Sequence, residues 1–267
     1  MNDDLRQTLI AVAQRAADAA RPVTLASFRA ADLVTDDKGE QGFDPVTAAD
    51  RAAEAAIREV LAKDRPDDAI LGEEAGAVSG TSGLTWVIDP IDGTRGYISG
   101  TPTWGTLISV ADADGPLFGL IDQPYIGERF AGGFGTARME GPHGARALSV
   151  RATADLAQAT LLTTFPEVGT QHERAAFHAL AAECRLTRYG MDCYAYALLA
   201  LGQVDLVVEA GLHPYDIHAP ICVVQAAGGV VTDWRGGPAH DGGRVLAAAT
   251  PALHAAALRI LKDAPDG

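Results

Sequence analysis

The segment WVIDPIDGTRGYISG, residues 86–100, ends an apolar run on two aspartates three residues apart, Asp89 and Asp92, and follows them at once with Gly93 and Thr94. Carboxylates on one tight turn, with the Ile91 carbonyl between them, suit a hard divalent cation, which takes oxygen ligands and keeps several waters. Gly93 lets backbone N–H groups approach an anion closely, and a helix starting here would add its positive end. The Thr94 hydroxyl is placed to orient a nucleophilic water, and Arg95 adds a fixed cation. Cations beside an anion cradle are the apparatus of metal-assisted phosphoester hydrolysis.

Further acids fall at the ends of other predicted elements. Glu73 and Glu74 close a strand, Asp50 lies in the first turn of a helix beginning near Thr47, and Asp216 opens a helix after Pro214 and Tyr215. Each has a plainer explanation. Asp50 pairs with Thr47 as a capping-box variant, and Asp216 suits a helix N-cap or the helix dipole. Asp89-Pro90 and Asp92-Gly93 are ordinary turn chemistry. Asp92-Gly93 also suits a calcium loop, but the D-x-D-x-D-G run and closing glutamate of an EF-hand are missing. Recurrence of acids at the ends of separate elements argues for a shared cleft, since function concentrates on loops held by a rigid scaffold.

The elements that must position these residues follow from periodicity. Helical spacing is predicted over Asp3–Ala20 and again from Thr47 through VTAADRAAEAAIREVLAK, with the breaker-rich VTDDKGEQGFDP between them expected as a mobile loop. DAILGEE, LTWVIDP, WGTLISVAD and PLFGLID read as strands, the last two joined by a turn at Asp114-Gly115. Later, strands are expected at Thr160–Thr164, Leu186–Tyr189, VDLVVEA, VVTDW and VLAAAT. Helices are expected at His172–Glu183, Asp192–Leu201, after Asp216 as far as Gly228-Gly229, and at Pro251–Leu261. A boundary near Gly144, in EGPHGAR, divides an N-terminal half, 1–144, from a C-terminal half, 145–267. The pattern is a layered α/β fold.

Composition narrows the function. A net charge of −14 over 267 residues excludes a nucleic-acid partner held through phosphates, which needs a basic face. It also means that an anionic substrate must find its cations inside the site. Cys184, Cys193 and Cys222 form no CxxC or paired framework, so they read as small buried apolar residues in a reducing compartment. The N-terminus MNDDLRQTLI lacks a cationic segment leading into an apolar one, and no apolar run approaches the ~18 residues of a membrane span. A cytoplasmic location without membrane contact is expected.

DPVTAAD, GEE, WVIDPIDGT and GLHPYD, in this order over nearly the full chain, resemble the inositol monophosphatase family of Mg²⁺-dependent, lithium-sensitive phosphatases. The resemblance implies the layered α-β-α-β-α sandwich of the inositol monophosphatase and fructose-1,6-bisphosphatase superfamily, usually dimeric. It implies that Glu73, Asp89, Asp92, the Ile91 carbonyl and Asp216 hold two or three Mg²⁺ ions, with Mn²⁺ as the alternative. Glu73, Thr94 and Asp50 would then position and activate a water at the metals, and the Gly93 and Thr94 N–H groups would hold the phosphate for in-line attack without a phosphoenzyme.

DGTRGYISGTPTWGTLI, YGMDCYAYALLALGQVDLVVEAGL and GLHPYD are similar to the histidinol-phosphate phosphatases of that family, which serve histidine biosynthesis. A leaving group carrying an ammonium and an imidazole calls for carboxylates, and the resemblance puts Asp192 and Glu209 on that side, with Arg95. Inositol-type relatives share a glutamate at the position of Glu209, so an inositol or polyol phosphatase is the alternative. A non-catalytic metal- and anion-binding regulator is the alternative of another class. Asp192 also suits a cap for the helix after it. Tyr97 and Trp104 read as core, His213 as a structural hydrogen-bonding histidine, and Arg188 as the weakest substrate candidate. Three departures stand out: Pro220, which predicts a late or distorted start to the helix after Asp216; His218, where a smaller residue is expected; and Gln225, where an acid is common in the histidinol branch.

Overall fold

The apolar positions of the first segment recur at helical spacing, and Asn2 caps the helix by accepting the Leu5 N–H at 2.9 Å. This helix, α1 (Asp3–Ser27), opens a computed structural model that describes residues 1–31, 35–37, 45–165, 167 and 169–262. It runs past the end predicted at Ala20, through Pro22. Tertiary contacts hold the extra turn: Tyr97 Oη donates to the Thr24 carbonyl at 2.7 Å, and Arg21 pairs with the buried Asp122. Part of the expected loop is instead an antiparallel pair, β1 (Thr35–Asp37) with β2 (Pro45–Thr47); residues 38–44 of that loop lie outside the described residues. Next comes α2 (Ala48–Asp64), which starts where Thr47 and Asp50 form a capping box.

Eight strands build the larger sheet. They are β3 (Ala69–Gly72), β4 (Gly76–Val78), β5 (Thr85–Asp92), then, after the short α3 (Thr94–Ile98), β6 (Gly105–Asp112), β7 (Gly115–Gln123), β8 (Glu128–Gly133), β9 (Thr136–Gly141) and β10 (Gly144–Ala147). Their order is β10-β9-β8-β7-β6-β5-β3-β4, antiparallel except for β3 with β5. Residues 128–147 show little apolar alternation because glycine and charge interrupt it, so β8–β10 carry no clear strand signal. The rest of the chain forms β11 (Thr160–Thr163), α4 (Gln171–Glu183), β12 (Leu186–Tyr189), α5 (Tyr194–Ala200), β13 (Leu206–Leu212), α6 (Pro214–Ala226), β14 (Val230–Thr232), β15 (Gly243–Ala248) and α7 (Pro251–Leu261). The smaller sheet has the order β12-β11-β13-β15-β14.

Period-2 alternation assigns each sheet two buried faces. Trp86, Ile88, Ile108, Val110 and Phe118 pack with α1 and α2, whereas Leu107, Ile121 and Phe130 pack with α5 and α6. Those two helices also meet Val207, Val245 and Ala247, and the opposite face of the small sheet, with Leu206, Val208 and Leu246, takes α4 and α7. The result is the α-β-α-β-α sandwich expected from the motifs. Cys193 and Cys222 are buried and all three cysteines are free. No helix among the described residues is long and apolar enough to cross a membrane.

The central α6 carries Asp216 in its first turn. Contrary to the late start predicted from Pro220, it begins at Pro214 and runs through Pro220, which removes the amide that would bond the Asp216 carbonyl. Burial from Ile217 to Val224 between the sheets holds the helix despite that loss. Its seat is backbone-close: a Cβ at Gly119 of β7 would lie 2.6 Å from the Ala219 Cα. Gly119→Ala is therefore expected to lower stability by about 1–3 kcal/mol, the usual scale for overpacking. Because α6 must move to make room, the variant should also weaken divalent-cation binding. Urea unfolding and a cation titration of the variant check both effects.

Candidate active site

Strand pairing decides where the two central aspartates point. On β5 and β6, Asp89 lies opposite Leu107 and Asp92 opposite Gly105, so three steps on one strand face two on the other. This is a one-residue bulge. In a regular strand residues three apart face opposite sides; the extra residue brings both carboxylates to one site. The aspartates are thus gathered by a bulge within β5 and not by the tight turn expected from the sequence. Pro90 fits there because bulges tolerate a missing amide, and its carbonyl accepts the Thr106 hydroxyl at 2.8 Å.

One oxygen from each of Asp89, Asp92 and Asp216 lies within 4.8 Å of the others. Backbone amides orient the acids: Ile91 N–H donates to Asp89 at 3.0 Å, Cys193 N–H to Asp92 at 2.6 Å, and His213 N–H to Asp216 at 2.7 Å. Asp216 is therefore the third residue of its helix reaching back to the N-cap, and not the N-cap itself. Burial, then the neighbouring Glu73, Asp92 and Asp216, push the Asp89 carboxyl well above its ordinary range. Burial, then Asp192 and Asp216, do the same to Asp92. The donor set is all oxygen and crowded with like charge, which fits a hard divalent cation.

Glu73 follows β3, which is parallel to β5, so the two chains leave the sheet at the same edge. The turn that carries it is held by a residue that sequence reasoning missed. Glu54 of α2 is buried and accepts the Glu74 and Ala75 amides at 2.7 and 3.0 Å, while Arg58 donates to Glu54 and to the Gly76 carbonyl. The only signal was a Glu/Arg pair four apart on a helix, which looks the same as a solvated pair. Asp50 serves two ends: one oxygen accepts the Thr47 N–H at 2.8 Å, and the other lies 3.5 Å from Thr94 Oγ1. Thr94 Oγ1 also lies 3.1 Å from the Ile91 carbonyl.

Gly93 precedes α3 at φ 83°, and a Cβ there would come within 2.6 Å of the Asp192 carboxyl carbon. Asp192 does not cap α5. It adopts φ 46°, lies over Gly93 and Gly96, and accepts the Thr103 hydroxyl at 3.2 Å. Burial raises its carboxyl above the ordinary range, against the pull of Thr103 and Arg95. Glu209, on β13, is buried and accepts Thr163 Oγ1 at 3.0 Å, Thr164 N–H at 2.8 Å and Thr164 Oγ1 at 2.9 Å. Burial pushes it up to about 7.

A cavity of about 310 Å³ is lined by Glu73, Gly93, Thr94, Arg95, Asp192, His213, Tyr215 and Asp216. It shares Arg95, Thr164, Asp192 and Asp216 with a second cavity of about 160 Å³, which adds Asp92, Phe165, Tyr196 and Glu209. Arg95 stands 5.9 Å over the exposed Phe165 ring. Phe165, Tyr196 and Thr164 were not predicted from sequence; their one signal was position at the end of β11 or on α5. Tyr97 and Trp104 are fully in the core, as expected. His213 stacks on Tyr215 at 5.1 Å and lines the larger cavity, and its backbone bonds Asp216 twice, the N–H donating to the carboxylate and the carbonyl accepting the Asp216 N–H at 3.1 Å. Arg188 is exposed on β12 and lines neither cavity. His218 bonds the His240 carbonyl, and Gln225 is exposed at the far end of α6, so both departures lie off the site.

Comparison with known proteins shows the family. The model of the inositol monophosphatase family matches residues 5–266. A protein named bifunctional phosphatase IMPL2, chloroplastic, from Arabidopsis thaliana is 39% identical over 239 residues, covering 88% of this chain and 67% of the relative. A histidinol-phosphatase of Mycobacterium tuberculosis is 36% identical over 238 residues, covering 86% and 89%. A solved inositol monophosphatase from Zymomonas mobilis superposes with a TM-score of 0.84 at 36% identity, covering 98% of this chain and all of that one.

The raised carboxyls have a consequence for stability. In the metal-free protein Asp89 and Asp92 favour the protonated form when folded, so their contribution is complete below the ordinary carboxylate range. It is lost as pH rises through their raised folded values. Asp92→Asn is expected to lessen the fall in metal-free Tm as pH rises above the ordinary carboxylate range and to remove most of the Tm gain on adding a hard divalent cation. Thermal unfolding of both proteins, with and without cation, tests this.

Proposed function

The chain belongs to the inositol monophosphatase family and is a phosphomonoesterase, and from that premise we propose that it hydrolyses L-histidinol phosphate to L-histidinol and phosphate with Mg²⁺ as cofactor. The observation that carries the substrate is the pair of carboxylates, Asp192 and Glu209, lining the cavity beside Asp92 and Asp216. A leaving group with an ammonium and an imidazole supplies positive charge and N–H donors to a wall in which four carboxylates outnumber the one guanidinium, Arg95. The Mycobacterium relative's name supports the same reading.

Asp89, Asp92, Asp216, Glu73 and the Ile91 carbonyl are the groups that would hold the cation. When bound, Mg²⁺ supplies positive charge for the phosphoryl oxygens and a lowered pKa for water. The chain's own residues do the rest. The Gly93 and Thr94 N–H groups take the phosphate, beside Arg95. Thr94 Oγ1, held between the Ile91 carbonyl and Asp50, orients the attacking water, and Glu73 takes its proton. The water attacks phosphorus opposite the ester oxygen, which leaves and is protonated from solvent. Asp50 is a positioning residue here, because it acts through Thr94.

A second reading, an inositol-1-phosphatase or broad polyol phosphatase, is favoured by Glu209, which can accept a ring hydroxyl as well as an ammonium N–H. A cation- and phosphate-binding regulator would bind both without turnover on any substrate.

Phosphate release from L-histidinol phosphate and from myo-inositol 1-phosphate, measured side by side with Mg²⁺ and with chelator, separates these readings. We expect a Mg²⁺-dependent preference for histidinol phosphate of about a hundredfold or more, roughly 2.7 kcal/mol in the barrier; similar rates would favour the polyol reading. Asp192→Ala should lower kcat/KM for histidinol phosphate far more than for an aryl phosphate, and an equal loss would make Asp192 structural. Because Glu209 titrates at about 7, kcat/KM for histidinol phosphate should rise through that pH as it ionises. That limb should be absent in Glu209→Gln.

A further inference from the structure

Tyr196, on α5, is 3% exposed, and its hydroxyl is buried with no hydrogen-bond partner among the described residues. A phenol is seldom left so, because the lost hydrogen bond to water is not recovered in the fold. The ring lines the smaller cavity together with Asp92, Asp192, Glu209 and Asp216. Three of those acids, Glu209, Asp92 and Asp216, are also the carboxylates that, after burial, raise its ionisation well above that of a free phenol. Burial and those acids keep the phenol neutral, with its lone pairs intact, in the wall of the cavity.

Counting lone pairs on Glu209 points to the same place. Its Oε1 accepts two bonds, from Thr164 N–H and Oγ1, and Oε2 accepts one, from Thr163 Oγ1, so one acceptor site remains. Four carboxylates against the single guanidinium of Arg95, around a cavity of about 160 Å³, leave this wall with net negative charge, which favours a cationic nitrogen over a neutral hydroxyl. Asp92 and Asp216 bound this cavity as well as the acid cluster, so the nitrogen lies close to the ester oxygen.

We propose that Tyr196 is a specificity-determining residue whose hydroxyl, with Glu209, accepts hydrogen bonds from an ammonium group vicinal to the ester oxygen of the leaving group. The substrate class is then a 2-aminoalkyl phosphate, with any larger ring directed to the more open side at Arg95 and Phe165. This deepens the function proposed above and rests on that reading for the phosphate ester, though not for the identity of the ring.

Tyr196→Phe removes the hydroxyl and keeps the ring. The test measures four things on the Mg²⁺-loaded wild type and variant. These are kcat and KM for L-histidinol phosphate, the same for its deamino analogue, the same for a 2-aminoalkyl phosphate without a ring, and the Tm rise caused by L-histidinol. In the wild type we expect the amine-bearing substrate to be preferred to the deamino analogue. In the variant that preference should shrink about tenfold, mainly through KM, as expected for one lost hydrogen bond to a charged group. The variant's own Tm should be equal or higher, since an unpaired buried hydroxyl is gone, and L-histidinol should stabilise it less. Equal losses on amine and deamino substrates, or a lowered Tm with an unchanged preference, would overturn the proposal. Turnover of the ringless 2-aminoalkyl phosphate with a Tyr196-dependent preference, but none of histidinol phosphate, would sink the substrate proposed above and leave this inference standing.

Discussion

One extra residue in β5 sets the geometry on which the rest of the site depends. The bulge between Asp89 and Asp92 turns two carboxylates that a regular strand would separate toward the same edge of the sheet. It also sends Gly93 into the left-handed conformation that starts α3 and aligns Thr94 with Asp50. The Asp92 carboxylate then accepts the Cys193 amide, which ties the end of the large sheet to the helix layer between the two sheets. With α6 seated against Gly119, the third acid, Asp216, arrives at the same point from the other side.

That convergence has an energetic cost. Asp89 and Asp92 are withdrawn from water and placed among like charges, and both resist ionisation. The fold meets this cost with backbone amides aimed at each acid and with the Glu54–Arg58 pair, which fixes the Glu73 turn from α2. What amides cannot supply is a full positive charge. A cation bound at the cluster would stabilise the folded state by mass action, so the same arrangement that prepares a reaction also links stability to metal.

The smaller cavity, the leaving-group side of the proposed reaction, is built on a different principle. Its carboxylates are acceptors fixed by neighbours: Glu209 by two threonines, Asp192 by Thr103 and by its close fit over Gly93. Fixed acceptors discriminate well, because a ligand lacking the matching donors leaves them unpaired. On the proposed function, an acidic protein thus takes an anion at one end of its site and a cation at the other.

Much of this was readable in the sequence because it is local. Period 3.6 and period 2 patterns gave the helices and most strands, Thr47 and Asp50 announced their capping box, and four short motifs identified the family and hence the five-layer sandwich. The acids at element ends were legible as a group, since a strand end or a first helical turn is visible in one dimension. What was not legible depended on partners distant in the chain. The bulge is a property of pairing with β6, and β8–β10 form because their neighbours pair with them despite glycine and charge. Pro22 and Pro220 fail to end their helices because tertiary contacts outweigh one missing amide. The orientation of Asp192, the clamp by Glu54 and the unpaired hydroxyl of Tyr196 come from packing between elements 20 to 101 residues apart. The sequence alone determined which chemistry the chain carries and in which layers it folds. Only the tertiary structure decided which side chains meet, because a side chain's direction depends on register and packing that no local pattern encodes.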